Sequence, residues 1–219
     1  MKVLIISSYS ENVAGLNFVT SMNKSWYCNQ HGYQFENIDS QYYEYMNVLH
    51  ILRDRIKEND IVMNMGCDTA FTNIAIKIED KAILDDPRPV ISKEEFGNNP
   101  INNDTMIWKN TPECIDLIDR IIDEHDQWKN HGWYWQNHMS INYLDKLNIM
   151  PARYMNSTFF PYDRNGNEVT QKNCPSSWEV GDWVMHALGF PINTRTEIIK
   201  WAIQRACGTT FTNSVQWID

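Results

Sequence analysis

The sequence predicts an α/β fold in one domain, with a mixed central sheet flanked by helices. Three observations predict it. Strand and helix patterns alternate through the N-terminal part of the chain, and the opening strand is apolar on both faces, as a sheet covered on both sides requires. The later part is less regular, which suits a mixed sheet better than a wholly parallel one. With 219 residues and 42% apolar content, the chain is long enough to bury a full core.

Each element follows from local chemistry. Residues 2–6 form a strand that opens onto Ser7, Ser8, Tyr9 and Ser10, the kind of strand-to-helix turn where a nucleotide meets an α/β sheet. No Gly-x-Gly-x-x-Gly fingerprint accompanies it. A helix over residues 13–31 is closed by Gly32, residues 33–38 alternate as a second strand, and residues 42–56 carry apolar positions at helical spacing. After the turn at residues 57–60, the apolar run Ile61-Val62-Met63-Asn64-Met65 leads to Gly66, Cys67 and Asp68. Residues 71–80 read as an extended or short helical piece, residues 85–89 as a turn, and residues 90–92 as a short strand.

Residues 97–104, dense in Asn, Gly and Pro, read as a loop before a strand at residues 105–109. Thr111 caps a helix with Pro112 at its first position, running through about residue 128. An aromatic loop follows at residues 130–135, then a helix at 136–147 and a strand near 148–151. Residues 163–177 are polar enough for a surface loop, residues 183–189 form a late apolar strand carrying His186, and residues 195–205 are helical. No internal repeat or linker divides the chain. A nucleotide-binding half over about residues 1–100 and an acceptor-binding half over about 101–219 are expected within one domain.

Composition excludes some functions. A formal charge of −9 argues against nucleic acid as a partner, because such binding needs a basic face to release counterions. No apolar run approaches the roughly 20 residues of a membrane span, and the apolar start is too short for a signal peptide, so a cytoplasmic location in the producing or host cell is expected. The five cysteines are scattered, without a Cys-x-x-Cys pair, which fits reduced thiols and gives no zinc knuckle. Cys67 lacks a sequence neighbour to activate it and reads as a small buried filler.

Asp68 stands just past the carboxyl end of a buried strand. In an open α/β sheet that edge is where ligands bind, and a carboxylate there can hold a hard cation that bridges to phosphate oxygens, or can simply cap a turn. His186 is either a hydrogen-bonded core histidine or a ligand. Asn102 and Asn103 can serve loop chemistry or bind sugar hydroxyls, and Trp133, Trp135 and Gln136 can line a sugar pocket or merely cover the core.

Asp68, the Asn102-Asn103-Asp104 stretch and the late Gly181-Asp182-Trp183-Val184-Met185-His186-Ala187-Leu188-Gly189 fall in an informative order. Over residues 48–189 that order and spacing resemble the glycosyltransferases of GT-A fold, a Rossmann-like nucleotide-diphospho-sugar transferase fold. The similarity is to the galactosyl-, mannosyl- and xylosyltransferase family of yeasts and plants and its soluble viral, phage or bacterial relatives. The family's Asp-x-Asp-Ala-x-x-x-Asn is similar to residues 66–73, its Asn-x-Gly loop to residues 102–104, and its Gln-Asp pair to Gln136-Asn137. Its Pro-x-x-x-x-Asn-Ser-Tyr strand is similar to residues 151–158, and its Gly-Asp-Phe-x-x-His-x-x-Gly to residues 181–189. Three positions depart: Gly66 stands where the family has its first acid, Asp104 where it has glycine, and Asn137 where it has aspartate.

The resemblance implies transfer of a hexosyl, deoxyhexosyl or pentosyl group from a nucleotide sugar, most simply a UDP-sugar, to a glycan or other hydroxyl acceptor. It implies a Mn2+ or Mg2+ ion held by Asp68 and His186. Ser7, Ser8, Tyr9, Gly66, Cys67, Asp68, Asn102, Asn103, Gly189 and Arg195 are then the donor-binding candidates, and Asp104, Gln136 and Asn137 the catalytic ones. Asp104 and Asp182 are the carboxylates an inverting mechanism would draw on as a base. Two other classes remain open: a noncatalytic sugar- or nucleotide-binding domain, and a metal-dependent nucleotidyltransferase or phosphohydrolase built on Asp68.

Overall fold

The computed structural model describes residues 1–39, 45–94, 99–159 and 176–208. Its main sheet has six strands: β1 (Val3–Tyr9), β2 (Gln34–Asp39), β3 (Ile61–Met65), β5 (Val90–Lys93), β6 (Ile101–Lys109) and β7 (Asn148–Met150), in the order β2-β1-β3-β6-β5-β7. The first three run parallel, β6 is antiparallel to both β3 and β5, and β7 returns parallel to β5. The sheet is therefore mixed, as expected. A second sheet of three short strands, β4 (Thr69–Phe71), β8 (Ser157–Thr158) and β9 (Val184–His186), has β9 at its centre.

Side-chain alternation explains the layers. Leu4 and Ile6 on β1 point to the same core as Leu49, Leu52 and Ile56 of α2 (Tyr45–Glu58) and Leu117 and Ile121 of α3 (Pro112–Asp123). Val3 and Ile5 point the other way, to Tyr27 of α1 (Ala14–His31), Phe71 and Trp183. A third core joins α1, the small sheet and α6 (Ile192–Cys207) through Leu16, Ala70, Met185, Ala187 and Ile199. The small sheet thus lies against α1, beside the carboxyl ends of the parallel strands. No helix among the described residues is long and apolar enough to cross a membrane.

Several expected boundaries move. Residues 102–104 are strand, not loop: β6 starts at Ile101, and past an irregularity at Ile91/Ser92 it pairs Ser92 with Asn102. The helix expected through residue 128 ends at Asp123, and α4 (His125–Trp128) follows, because Glu124 leaves helical geometry and its carboxylate accepts from His138 and Tyr143, each at 2.8 Å. The next helix, α5 (Tyr134–Asn142), stops before Tyr143, and residues 144–146 form a single 3-10 turn. Residues 72–80 are turns with no helix, the late strand shortens to Val184–His186, and α6 begins three residues earlier than expected, at Ile192. The expected helix start at Tyr42, and residues 97–98 and 163–175 of the expected loops, lie outside the described residues.

The predicted cap of α3 is present: Thr111 accepts from the Cys114 amide at 3.3 Å and donates to the Pro87 carbonyl at 2.6 Å. Thr111→Ala is expected to lower the unfolding free energy by about 1 kcal/mol. Urea unfolding checks this: the midpoint should fall with an unchanged slope, and an unmoved midpoint would contradict the role of the cap.

Candidate active site

Asp68 sits in the turn between β3 and β4, and that turn is held from below by one face of α1. Thr20 Oγ1 donates to the Cys67 carbonyl at 2.8 Å, Lys24 Nζ to the Gly66 carbonyl at 2.7 Å, and the Asn23 amide exchanges two bonds with the Phe71 backbone at 2.7 and 3.0 Å. From the other side, the Ala187 amide donates to the Asp68 carbonyl at 3.0 Å. In the register of β4 and β9, Thr69 lies opposite His186. Two short strands therefore bring a residue from the first third of the sequence to one more than a hundred positions later.

At this junction His186 and Asp68 are buried, while the Asp104 side chain is partly open to solvent. His186 Nε2 lies 3.4 Å from Asp68 Oδ1 and 3.4 Å from Asp104 Oδ2. Both ring nitrogens of His186 are buried without a hydrogen-bond partner. One ligand atom from each of Asp68, Asp104 and His186 can be chosen so that all lie within 4.8 Å of one another. A spacing of 3.4 Å is too long for a good hydrogen bond. It suits two ligands at about 2.1 Å from one ion.

The field around the cluster is strong. Burial lowers the affinity of His186 for its proton, yet Asp68 and Asp104 outweigh it and raise the imidazole above its ordinary value. Burial likewise opposes ionisation of Asp68, but His186 and Arg195 prevail and hold its carboxyl below the usual range. Asp104 is raised, by burial first and then by Asp68 and Glu94 against the opposing pull of His186. Arg195 on α6 reaches across to Asp68 Oδ2 at 2.6 Å while its Nε holds the Phe190 carbonyl at 2.6 Å.

Asp68 and Asp104 face a cavity of about 450 Å³, the size of a small-ligand site. Ser8 and Tyr9 line it from the end of β1, Gly66 and Cys67 from the turn, and Asn103 from β6. Trp133, Tyr134, Trp135 and Gln136 line it from the start of α5. Trp133 and Tyr134 both have left-handed backbones, with φ of 59° and 43°, and Trp133 is 59% exposed. Two consecutive non-glycine residues in that region carry local strain, a feature that concentrates at functional sites.

Ser7, Asn102, Asn137, Asp182 and Gly189 stand off the cavity. Ser7 is buried and accepts from Lys24 Nζ at 3.0 Å. Asn102 is buried in a network, donating to Glu94 at 2.7 Å and accepting from Asn156 at 2.8 Å, so it props the strand that carries Asp104. Gln136 Oε1 accepts from the Asn103 amide at 3.1 Å, while Asn137 and Gly189 do not line the cavity. Asp182 is held by Arg153 at 2.6 Å, which leaves it poorly placed as a base. Burial pushes the Cys67 thiol up to about 12, removing it as a nucleophile.

Lys24 is the participant that sequence reading missed. It is fully buried beneath the turn, yet it had a signal: Leu16, Thr20, Asn23 and Tyr27 mark the covered face of α1, and Lys24 falls on that face.

No family model matches the chain, and no curated protein sequence matches it. Solved structures do. One is a glycosyltransferase involved in the glycosylation of the major capsid of PBCV-1, at 14% identity and a TM-score of 0.70, covering 92% of this chain and all of the other. A second is the galactosyltransferase LgtC in complex with donor and acceptor sugar analogs, at 12% identity and a TM-score of 0.61, covering 96% and 98%. The fold is that of the GT-A glycosyltransferases.

Burial pushes the Lys24 ammonium down to about 8 from 10.5, against the pull of Cys67, Asp68 and Asp104. Between those values the unfolded chain holds the proton and the folded chain has released it, so the contribution of Lys24 to stability rises with pH across that window. Wild type is expected to gain on Lys24→Met by about 3 kcal/mol as pH rises through the window. Paired urea titrations at its two ends measure this, and a constant gap would contradict it.

Proposed function

We propose that the protein is a divalent-cation-assisted glycosyltransferase that takes a sugar from a nucleoside diphosphate, with UDP as the simplest donor, to a hydroxyl acceptor. The observation that carries this reading is His186 Nε2, buried and unpartnered, 3.4 Å from each of two carboxylates at a cavity in a GT-A fold. Two carboxylate oxygens and one imidazole nitrogen form a donor set suited to Mn2+ or Mg2+, with the nitrogen favouring manganese. When bound, such an ion offsets the negative charge that develops on the departing diphosphate.

The chain's own groups supply the rest. Asp68 and His186 are fixed by the β4–β9 pairing, so they reach the donor pre-oriented and nothing has to reorganise as the bond breaks. Ser8 and Tyr9 line the cavity from the carboxyl end of β1, which supports a role for them toward the nucleoside and for the N-terminal half as the nucleotide-binding half. Trp133 and Trp135 give flat apolar faces for a sugar ring, while Asn103 and Gln136 give amides for its hydroxyls. The nearby aromatic wall and the exclusion of bulk water from His186 favour transfer over hydrolysis.

Carboxylates at shared ions are also the tools of nucleotidyl transfer and phosphohydrolysis, and Asp104 supplies the second carboxylate such chemistry asks for. The products separate the readings. With a panel of UDP-, GDP- and TDP-sugars, glycosyl transfer to water yields the nucleoside diphosphate and free sugar, whereas phosphohydrolysis yields the monophosphate and a sugar phosphate. We expect the former, stimulated by Mn2+ and abolished by a chelator. His186→Ala and Asp68→Ala should each lose about a hundredfold in rate. Stimulated release that survives both substitutions would refute the site assignment, and metal-independent UDP binding without turnover would favour a binding domain.

A further inference from the structure

Position 66 is occupied by glycine for a reason that its backbone does not give. The glycines with positive φ among the described residues are Gly32, Gly181, Gly189 and Gly208, so Gly66 has a conformation open to any residue. Its constraint is space. A Cβ placed on Gly66 would lie 3.0 Å from Asp104 Oδ1 and 3.0 Å from Asp68 Oδ1, tighter than nearly all such contacts, so both carboxylates would have to give by a few tenths of an ångström. A side chain at 66 would thus grow straight into the volume that the Asp104 carboxylate now fills, beside Asp68.

We propose that positions 66 and 104 are alternative origins of one cation-ligating carboxylate: Asp104 supplies it from β6, and its carboxylate crowds any side chain at position 66. The inference rests on the cation site proposed above. His186, fully buried with an unpartnered Nε2 at 3.4 Å from Asp104 Oδ2, gives the independent sign that this carboxylate faces a ligand-binding point. The backbone supports the same assignment. The Gly66 amide donates to the Asp104 carbonyl at 2.6 Å, which straps the two positions together just past the end of β3, and the Asp104 amide is held within β6 by Asn102 Oδ1 at 3.0 Å. Moving the carboxylate from one to the other leaves the number of acidic ligands and the local charge unchanged.

The test is a Mn2+ titration of the full chain without donor sugar, following the electron paramagnetic resonance signal of the free ion. Asp104→Gly and Asp104→Asn should each bind at least about tenfold more weakly than wild type. Gly66→Asp alone should also bind more weakly, because its carboxylate collides with the one already present. Gly66→Asp combined with Asp104→Gly should return to within about threefold of wild type, a non-additivity that residues in contact produce. Gly66→Ala with Asp104→Gly should show no recovery, since it restores bulk without an acid.

If wild type binds Mn2+ and the Asp104 variants bind equally well, the inference is overturned while the cation site stands. It is also overturned if the exchanged variant, folded by circular dichroism, binds no better than Asp104→Gly. Should the exchanged variant fail to fold, Asp104→Asn decides alone, because it keeps the shape and removes the charge. A wild type that does not bind Mn2+ overturns the cation reading itself, and the exchange with it.

Discussion

The pairing of β4 with β9 is the interaction on which the site depends. Each strand has only three residues, too few to be stable alone. They persist because α1 and α6 cover them and because Asn23 and Thr20 hold the chain on either side of Asp68. Once they pair, Thr69 faces His186 and the Asp68 carbonyl accepts from Ala187, so the distance between carboxylate and imidazole follows from strand register. A slip of one residue would turn His186 to the opposite face. The antiparallel β6 then brings Asp104 up beside β3, completing the cluster from a different sheet.

Burying so much charge is costly unless each group has company. Asp68 shares its two oxygens between Arg195 and the space before His186, and Lys24 lies one layer below, against the Gly66 carbonyl. Positive groups therefore meet the acids from α1 and from α6, the two helices that also clamp the small sheet. Asp104, more open to solvent on its side chain than Asp68, is the member of the cluster with the greatest access to the cavity. Charge balance and mechanical support come from the same two helices.

Much of this was readable in the chain, for definable reasons. Asp68 stands out in the sequence as an acid at the end of an apolar strand, open to a turn role or a ligand role, and His186 stands out through the resemblance of residues 181–189; the structure brings the two within 3.4 Å of each other. The mixed sheet followed from the regular first part and the irregular second. Residues 102–104 were misread as loop because Asn and Asp favour turns in isolation, whereas here Asn102 satisfies its amide through Glu94 and Asn156, contacts remote in sequence. That error hid the register that sets Asp104 beside Gly66. Lys24 escapes a sequence reading because a lysine on a helix is ordinarily solvated, and only the Ser7 hydroxyl of β1 and the Gly66 carbonyl of the β3–β4 turn make its burial tolerable. Long-range partners, invisible to local pattern, account for both misses.

The left-handed pair Trp133–Tyr134 has a consequence for how the protein can be altered. Such backbones cost on the order of 1–3 kcal/mol each, and a glycine at either position would release that load. The same change would delete a ring from the cavity wall. Stabilising the chain and preserving the cavity thus pull in opposite directions at two adjacent residues, and the entrance to the cavity is where a more heat-resistant version of this protein would first lose its shape.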